Sequence, residues 1–284
     1  AACILPHLAE SYASPGSPHS AGRAARAALE AARAAVAALV GCTEEEILFT
    51  SSATEANNLA LKGICRSRGR RGNRLLVSAV EHPSVLHPAR TLSAEGTVVE
   101  ELPVDPAGRI DLEALRRSLA GGALLVSVTH ASPEVGTLQP VAEAAALSSE
   151  AGALFHTDAT ATAGLLPGLW RRAPVNLLTL SPHLFPGPRG IAALVVRKGT
   201  RLRPQEEGGT QEGGLRAGTE PVALAAGFGA AARLALQEAP ARARRLEQLA
   251  AVLRHRLEEA LPDWVPTGHP RERIPGHLSL CLRY

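Results

Sequence analysis

Aromatic side chains make up only 3% of the 284 residues, so the core has to be assembled from alanine, leucine, valine and isoleucine. The same scarcity argues against a nucleic-acid platform, which interleaves basic residues with rings that stack on bases. The net charge of +3 is small for this length, and the basic runs "CRSRGRRGNR" and "ARARRLEQL" read as solvated surface. No apolar run approaches the roughly 18 residues that a membrane span requires, and no secretory signal pattern opens the chain. A cytoplasmic protein that binds neither membrane nor nucleic acid is the expectation. Cys3, Cys42, Cys65 and Cys281 stand far apart, with no CxxC pair and no histidine at ligand spacing. That excludes a local zinc motif or a disulfide framework and leaves buried free thiols as the expectation. Lysine is scarcer still: of 30 basic side chains only Lys62 and Lys198 are lysines. Arginine keeps its proton and cannot serve as an amine nucleophile.

What is present is ordinary for a globular chain: 45% apolar and 20% charged residues. Ser20 is positioned to cap a helix that runs to Gly41, with apolar residues at helical spacing. Beyond it, apolar strands alternate with helices: "EEEILFT", "NRLLVSAVEH", "TVVEELPVD", "ALLVSVTHAS", "ALFHTDAT", "NLLTLSPH" and "IAALVVRK" read as strands. Continuously apolar strands between helices predict an α/β fold, a mainly parallel sheet with helices on both faces. From about residue 219 the chain reads as helical, and a new strand begins at "HLSLCLRY". In such sheets the loops at the carboxyl ends of strands build the ligand site. Here those loops carry "TSSATEANN", "EHPS", "HASPEVG", "HTDATA" and "SPHLFPG".

Ser51, Ser52, Ala53 and Thr54 open a helix, and free amides and hydroxyls at a helix start suit a phosphate. Asp158, closing an apolar strand, could be a buried carboxylate that needs a cationic partner. Taken singly, the first reads as an ordinary Ser/Thr cap, and the second as a satisfied turn aspartate.

Together, "GRAARAALEAARAAVAALVG", "EEEILFTSSATEANNLALKG", "EHPSVL", "EVGTLQPV", "FHTDATATAG", "SPHLFPGPRGIAALVVRKG" and "GGTQEGGLRAGT" resemble, in order and spacing, the cysteine desulfurases. These are pyridoxal-phosphate (PLP) enzymes of the class V aminotransferase, fold-type-I group, and the resemblance covers essentially the whole chain. It implies a large PLP-binding domain at residues 16–225, with residues 1–15 an N-terminal segment of the small domain and 226–284 the start of a truncated C-terminal small α/β domain. It implies a reaction in which L-cysteine gives L-alanine and its sulfur passes on, for iron–sulfur cluster or thio-cofactor assembly. Ser52, Ala53, Thr54, Ser181 and His183 correspond to phosphate-binding positions. Thr219 corresponds to a residue that reaches the phosphate of a neighbouring subunit. His82 corresponds to a ring-stacking histidine that helps in proton transfer. Asp158 corresponds to the partner of the pyridine nitrogen, where a carboxylate keeps that nitrogen protonated.

Three positions depart from the pattern at the same ring. Leu184 stands where the family's covalently bonded lysine is, Pro133 where an asparagine is, and Ala161 where a glutamine is. None offers a nucleophile or a side-chain hydrogen-bond donor. Lys62, along the helix after Thr54, and Lys198, at the far end of its strand, are expected out of reach of the ring. Two further family elements, a C-terminal cysteine loop and an arginine beyond it, are expected past Tyr284, and Cys281 is expected in the apolar core. The resemblance together with these departures implies a non-catalytic homologue, with PLP held non-covalently or absent. It would form a homodimer or a heterodimer with a competent paralogue, with a possible sulfur-acceptor or scaffold partner. An active cysteine desulfurase, a selenocysteine lyase-like enzyme, and a fold put to unrelated binding work are the alternatives.

Overall fold

In the computed structural model, residues 2–67, 72–261 and 263–282 are described; residues 68–71 of the first basic run lie outside the described residues. A short helix α1 (Leu5–Ala9) precedes α2 (Ser20–Val40). The cap of α2 is His19, whose ring accepts from the Gly22 amide, so Ser20 is the first helical residue and not the cap. A histidine ring nitrogen does here what the serine hydroxyl was expected to do. Gly41 ends the helix at φ 89°, a left-handed conformation that a Cβ would disfavour.

The alternation continues as β1 (Ile47–Thr50), α3 (Ala53–Cys65), β2 (Arg74–Ser78), α4 (Pro83–Ala94), β3 (Val98–Leu102), α5 (Leu112–Ala120) and β4 (Leu125–Ser127). Then come α6 (Val141–Glu150), β5 (Leu154–Asp158), α7 (Leu169–Arg172), β6 (Leu177–Leu180), β7 (Ala192–Val196), α8 (Val222–Ala260), β8 (Trp264–Pro266) and β9 (Leu280–Leu282). Seven strands form one sheet in the order β1-β7-β6-β5-β4-β2-β3. Strands β3, β2, β4, β5 and β6 are mutually parallel, while β7 runs antiparallel to both β6 and β1. Because β1 and β6 both oppose β7, the carboxyl end of β1 lies on the same edge as those of the parallel strands.

Strand periodicity sends alternate residues to opposite faces, and two separate cores follow. Phe49, Phe155, Leu178 and Val195 join α2, α5, α6 and α8 on one face. Leu48, Leu75, Leu177 and Leu194 join α3 and α4 on the other. The fold is the expected α/β one: a mainly parallel sheet covered on both sides.

The cysteines correct the expectation of buried thiols. Cys3 and Cys281 are exposed, and Cys42 and Cys65 are half-buried. Cys281 sits on β9, which pairs with β8 in a two-stranded sheet, and it is exposed instead of lying in a core. Cys42 follows the end of α2 and Cys65 closes α3, positions where packing is incomplete. Among the described residues no helix is long and apolar enough to cross a membrane.

Candidate functional site

The carboxyl edge of the sheet opens into a cavity of about 440 Å³, a size that suits a small organic ligand. Ser52, Ala53, Thr54, His82, Asp158, Ser181 and His183 all line it. Seven of the eight residues expected to bind cofactor therefore converge, although they lie as far apart in sequence as Ser52 and His183. Thr219 is exposed and is not among the lining residues.

The start of α3 presents the kind of donors that an anion needs. Ser52 caps α3, its Oγ accepting the Glu55 amide at 3.1 Å. The first-turn amides of Ala53 and Thr54 have no acceptor within the helix, and they carry the positive end of its dipole. From the end of β6, Ser181 Oγ lies 2.8 Å from His183 Nδ1, which adds a hydroxyl and an imidazole to the lining.

Asp158, also in the lining, terminates β5 with 8% of its surface exposed. Its Oδ2 accepts from Asn57 Nδ2 at 2.7 Å, and its Oδ1 accepts from the Thr160 amide at 2.9 Å. Among the described residues no basic side chain lies in ion-pair contact with it. A buried carboxylate is costly without a cation, so this position suits a ligand that brings one, such as a protonated ring nitrogen.

A relay leads from Asp158 to His82. Asn57 Nδ2 also donates to Ser84 Oγ at 2.8 Å, and Ser84 Oγ lies 2.7 Å from His82 Nδ1. His82 is the cap of α4, and its Nδ1 accepts the Ser84 amide at 3.1 Å. With Nδ1 acting as acceptor, the neutral ring carries its proton on Nε2. The helix cap therefore fixes both the place and the tautomer of this imidazole.

Beneath Asp158 lie groups that burial keeps neutral. Burial, helped by the nearby Asp158 charge, pushes the Glu81 carboxyl up to about 8. Its Oε1 accepts from the Ser78 hydroxyl at 2.9 Å and from the Thr129 amide, while Oε2 is buried without a partner. Burial likewise lowers His130 to about 4, and lowers His156 to about 4 against the pull of Asp158. His130 Nδ1 meets Thr162 Oγ1 at 2.7 Å, and His156 bridges Ser127 and Thr179.

Three lining residues bring no reactive or hydrogen-bonding side chain. Leu184, Pro133 and Ala161 all line the cavity, and Leu184 is 54% exposed on the 3-10 turn Pro182–Leu184. No lysine is among the lining residues: Lys62 lies within α3, and Lys198 lies past the far end of β7. Asn57, Glu81, Ser84 and Arg189 were not singled out from sequence. Asn57 stands in the quoted "ATEANN", one helical turn beyond Thr54, and a polar residue on the buried face of α3 was its signal. Glu81 and Ser84 flank His82 in "EHPS". Arg189 lines the mouth and was hidden in a Gly-Pro loop.

Comparison with known proteins gives the family. The family model for class-V aminotransferases matches residues 4–283. The cysteine desulfurase IscS of Dictyoglomus turgidum is 38% identical over 279 residues, covering 98% of this chain and 71% of that protein. The cysteine desulfurase of Rattus norvegicus is 39% identical, covering 99% of this chain; the chain spans 63% of the rat protein's length. Among solved structures, a NifS-like protein superposes with a TM-score of 0.95 at 32% identity, covering 99% of this chain and 77% of its own. DndA from Streptomyces lividans superposes at 0.89 with 33% identity, covering 98% and 79%. The chain belongs to the class-V aminotransferase family and, within it, to the cysteine desulfurases.

Proposed function

We propose that this chain is a non-catalytic cysteine desulfurase homologue that holds pyridoxal 5'-phosphate without a covalent bond and pairs with a second subunit. The observation that carries this reading is the cavity wall itself, in which Leu184 is present and no lysine is. The donor set suits the cofactor at two of its ends. The amides of Ala53 and Thr54, with Ser52, Ser181 and His183, would hold its phosphate. Asp158 would hold its ring nitrogen, and His82 would cover the ring. Bound there, the pyridine ring supplies an electron sink. Leu184 offers nothing to bond to the aldehyde carbon, and no step of covalent chemistry follows from these residues. Thr219, which is exposed, would serve the phosphate end of a partner's cavity, either a second copy or a competent paralogue.

A second reading, an active cysteine desulfurase or selenocysteine lyase-like enzyme, draws on the intact relay Asp158–Asn57–Ser84–His82. Borohydride reduction of the chain saturated with PLP separates the two, and a chain with only two lysines gives little background. The expected result is no pyridoxyl group fixed on the chain and no sulfide released from L-cysteine. The variant Leu184→Lys is expected to turn yellow and to carry a reducible adduct at position 184. An adduct on Lys62 or Lys198 of the unaltered chain, together with sulfide release, would establish the second reading.

A further inference from the structure

The anion end of the cavity has an acid against it. Glu55 lies in the first turn of α3, and its Oε2 accepts both the Ser51 amide, at 2.8 Å, and the Ser51 hydroxyl. Ser51 lines the cavity beside Ser52 and Thr54. An unneutralised carboxylate here would oppose any phosphate by like-charge repulsion, in a half-buried setting where water screens poorly. Arg216 answers that charge: its Nε donates to Glu55 Oε1 at 3.0 Å, and each side chain keeps 19% exposure. Burial alone would push the Glu55 carboxyl up, yet the hydrogen bonds from Arg216 and Ser51 hold it below the usual carboxylate range. Glu55 therefore stays ionised, and its charge has to be met.

Arg216 comes from a loop that is itself anchored. Glu212 adopts φ 47°, a left-handed conformation that costs a non-glycine residue energy and persists only where surroundings enforce it. Its side chain is 2% exposed and bidentate to Arg33, with both contacts at 2.9 Å. It also accepts the Phe49 amide at 3.0 Å, while Arg33 lies over the Phe49 ring at 4.9 Å. Phe49 and Ser51 belong to the same strand-to-helix passage, so the loop grips β1 through Glu212 and the start of α3 through Arg216.

We propose that Arg216 is a positioning residue for phosphate recognition: it neutralises Glu55 and so opens the turn Ser51–Thr54 to an anionic ligand. This rests on the reading of the cavity as a PLP site, and the test separates the two. PLP and phosphate-free pyridoxal are titrated by calorimetry into the unaltered chain, Arg216→Gln, Glu55→Gln and the double variant. Arg216→Gln is expected to weaken PLP about tenfold and to leave pyridoxal unchanged. The double variant, with neither charge, is expected to recover most of that loss. Glu55→Gln alone is expected to bind PLP at least as tightly as the unaltered chain, which keeps the test alive if Arg216→Gln does not fold. Equal weakening of PLP and pyridoxal, or no recovery in the double variant, overturns the proposal. Should the unaltered chain bind no PLP, thermal stabilisation by inorganic phosphate against sodium chloride of equal ionic strength decides. Stabilisation present in the unaltered chain and lost in Arg216→Gln removes the cofactor reading and keeps this one; none in either overturns both.

Discussion

Glu81, His130 and His156 sit within a few positions of residues that line the cavity, and burial has moved each toward its neutral form. The sign of the pH effect differs between them. Burial raises Glu81 from 4.5 to about 8, so between those values the folded chain holds a proton that the unfolded chain has released. Its contribution to stability is full below 4.5 and is lost as pH rises to about 8. The histidines behave oppositely. Lowered from 6.5 to about 4, they contribute fully above 6.5 and lose that contribution as pH falls toward 4. Between the two regimes two histidines outweigh one carboxyl, which puts the maximum of stability from these groups near pH 6.5. The expected outcome is a melting temperature that declines on both sides of that value, by an amount on the order of a few kcal/mol of stability. Glu81→Gln should remove the alkaline decline and keep the acidic one; an alkaline limb that survives the substitution would show that other groups cause it. Sequence reading reached His82 and Asp158 because their loops form a recognisable set. It passed over Glu81 and Asn57 because their importance comes from burial beside Asp158, and a carboxyl next to a turn or an amide within a helix looks solvated until its neighbours are placed.

At the scale of elements, the shortage of aromatic residues has a consequence in how helices pack. Helices α2 and α8 pack together, and their buried residues are largely alanines and glycines, including Ala25, Ala32, Ala225, Gly229, Ala232 and Ala235. A Cβ added at Gly229 would fall 2.7 Å from the Ala32 Cα. That approach leaves no room for a side chain, and overpacking a close contact costs about 1–3 kcal/mol. Gly229→Val is expected to reach the upper part of that range, read as a fall in the urea midpoint with an unchanged slope. A midpoint within error of the unaltered chain would mean the helices separate without cost. The existence and type of these elements were legible from apolar spacing and from stops such as Gly41. Two features were not. The cap of α2 is a histidine where serine is the commoner choice, and β7 turns antiparallel between two strands that share one direction. Periodicity marks β7 as a strand and carries no information about its direction, yet that reversal brings Ser51–Thr54 to the same edge as Asp158 and Ser181.

For the molecule as a whole, the contact that ties distant parts of the chain together is the Arg33–Glu212 pair, which joins α2 and β1 to the loop that carries Arg216 and Thr219. "GGTQEGGLRAGT" contributed to the family resemblance through its order and spacing, but nothing in that string says that Glu212 turns inward. Its partner is Arg33, which helical spacing sets on the same face of α2 as Leu29, Val36 and Val40, where an arginine needs a buried partner of opposite charge. Breaking a buried pair by removing one member leaves the other charge uncompensated, at a cost of about 3–5 kcal/mol, whereas an exposed pair contributes about 0–1 kcal/mol. Arg33 makes both kinds of contact, because it also meets the half-exposed Glu30 at 3.1 Å. Arg33→Ala is therefore expected to destabilise the chain by about 3 kcal/mol and Glu30→Ala by less than about 1 kcal/mol. Arg33→Ala combined with Glu212→Ala should cost clearly less than the two single losses added together, since the second change removes the charge that the first one stranded. Denaturant titration of the unaltered chain, the three single variants and the double variant measures all of this, and strictly additive losses would mean that the loop is held by contacts other than this pair.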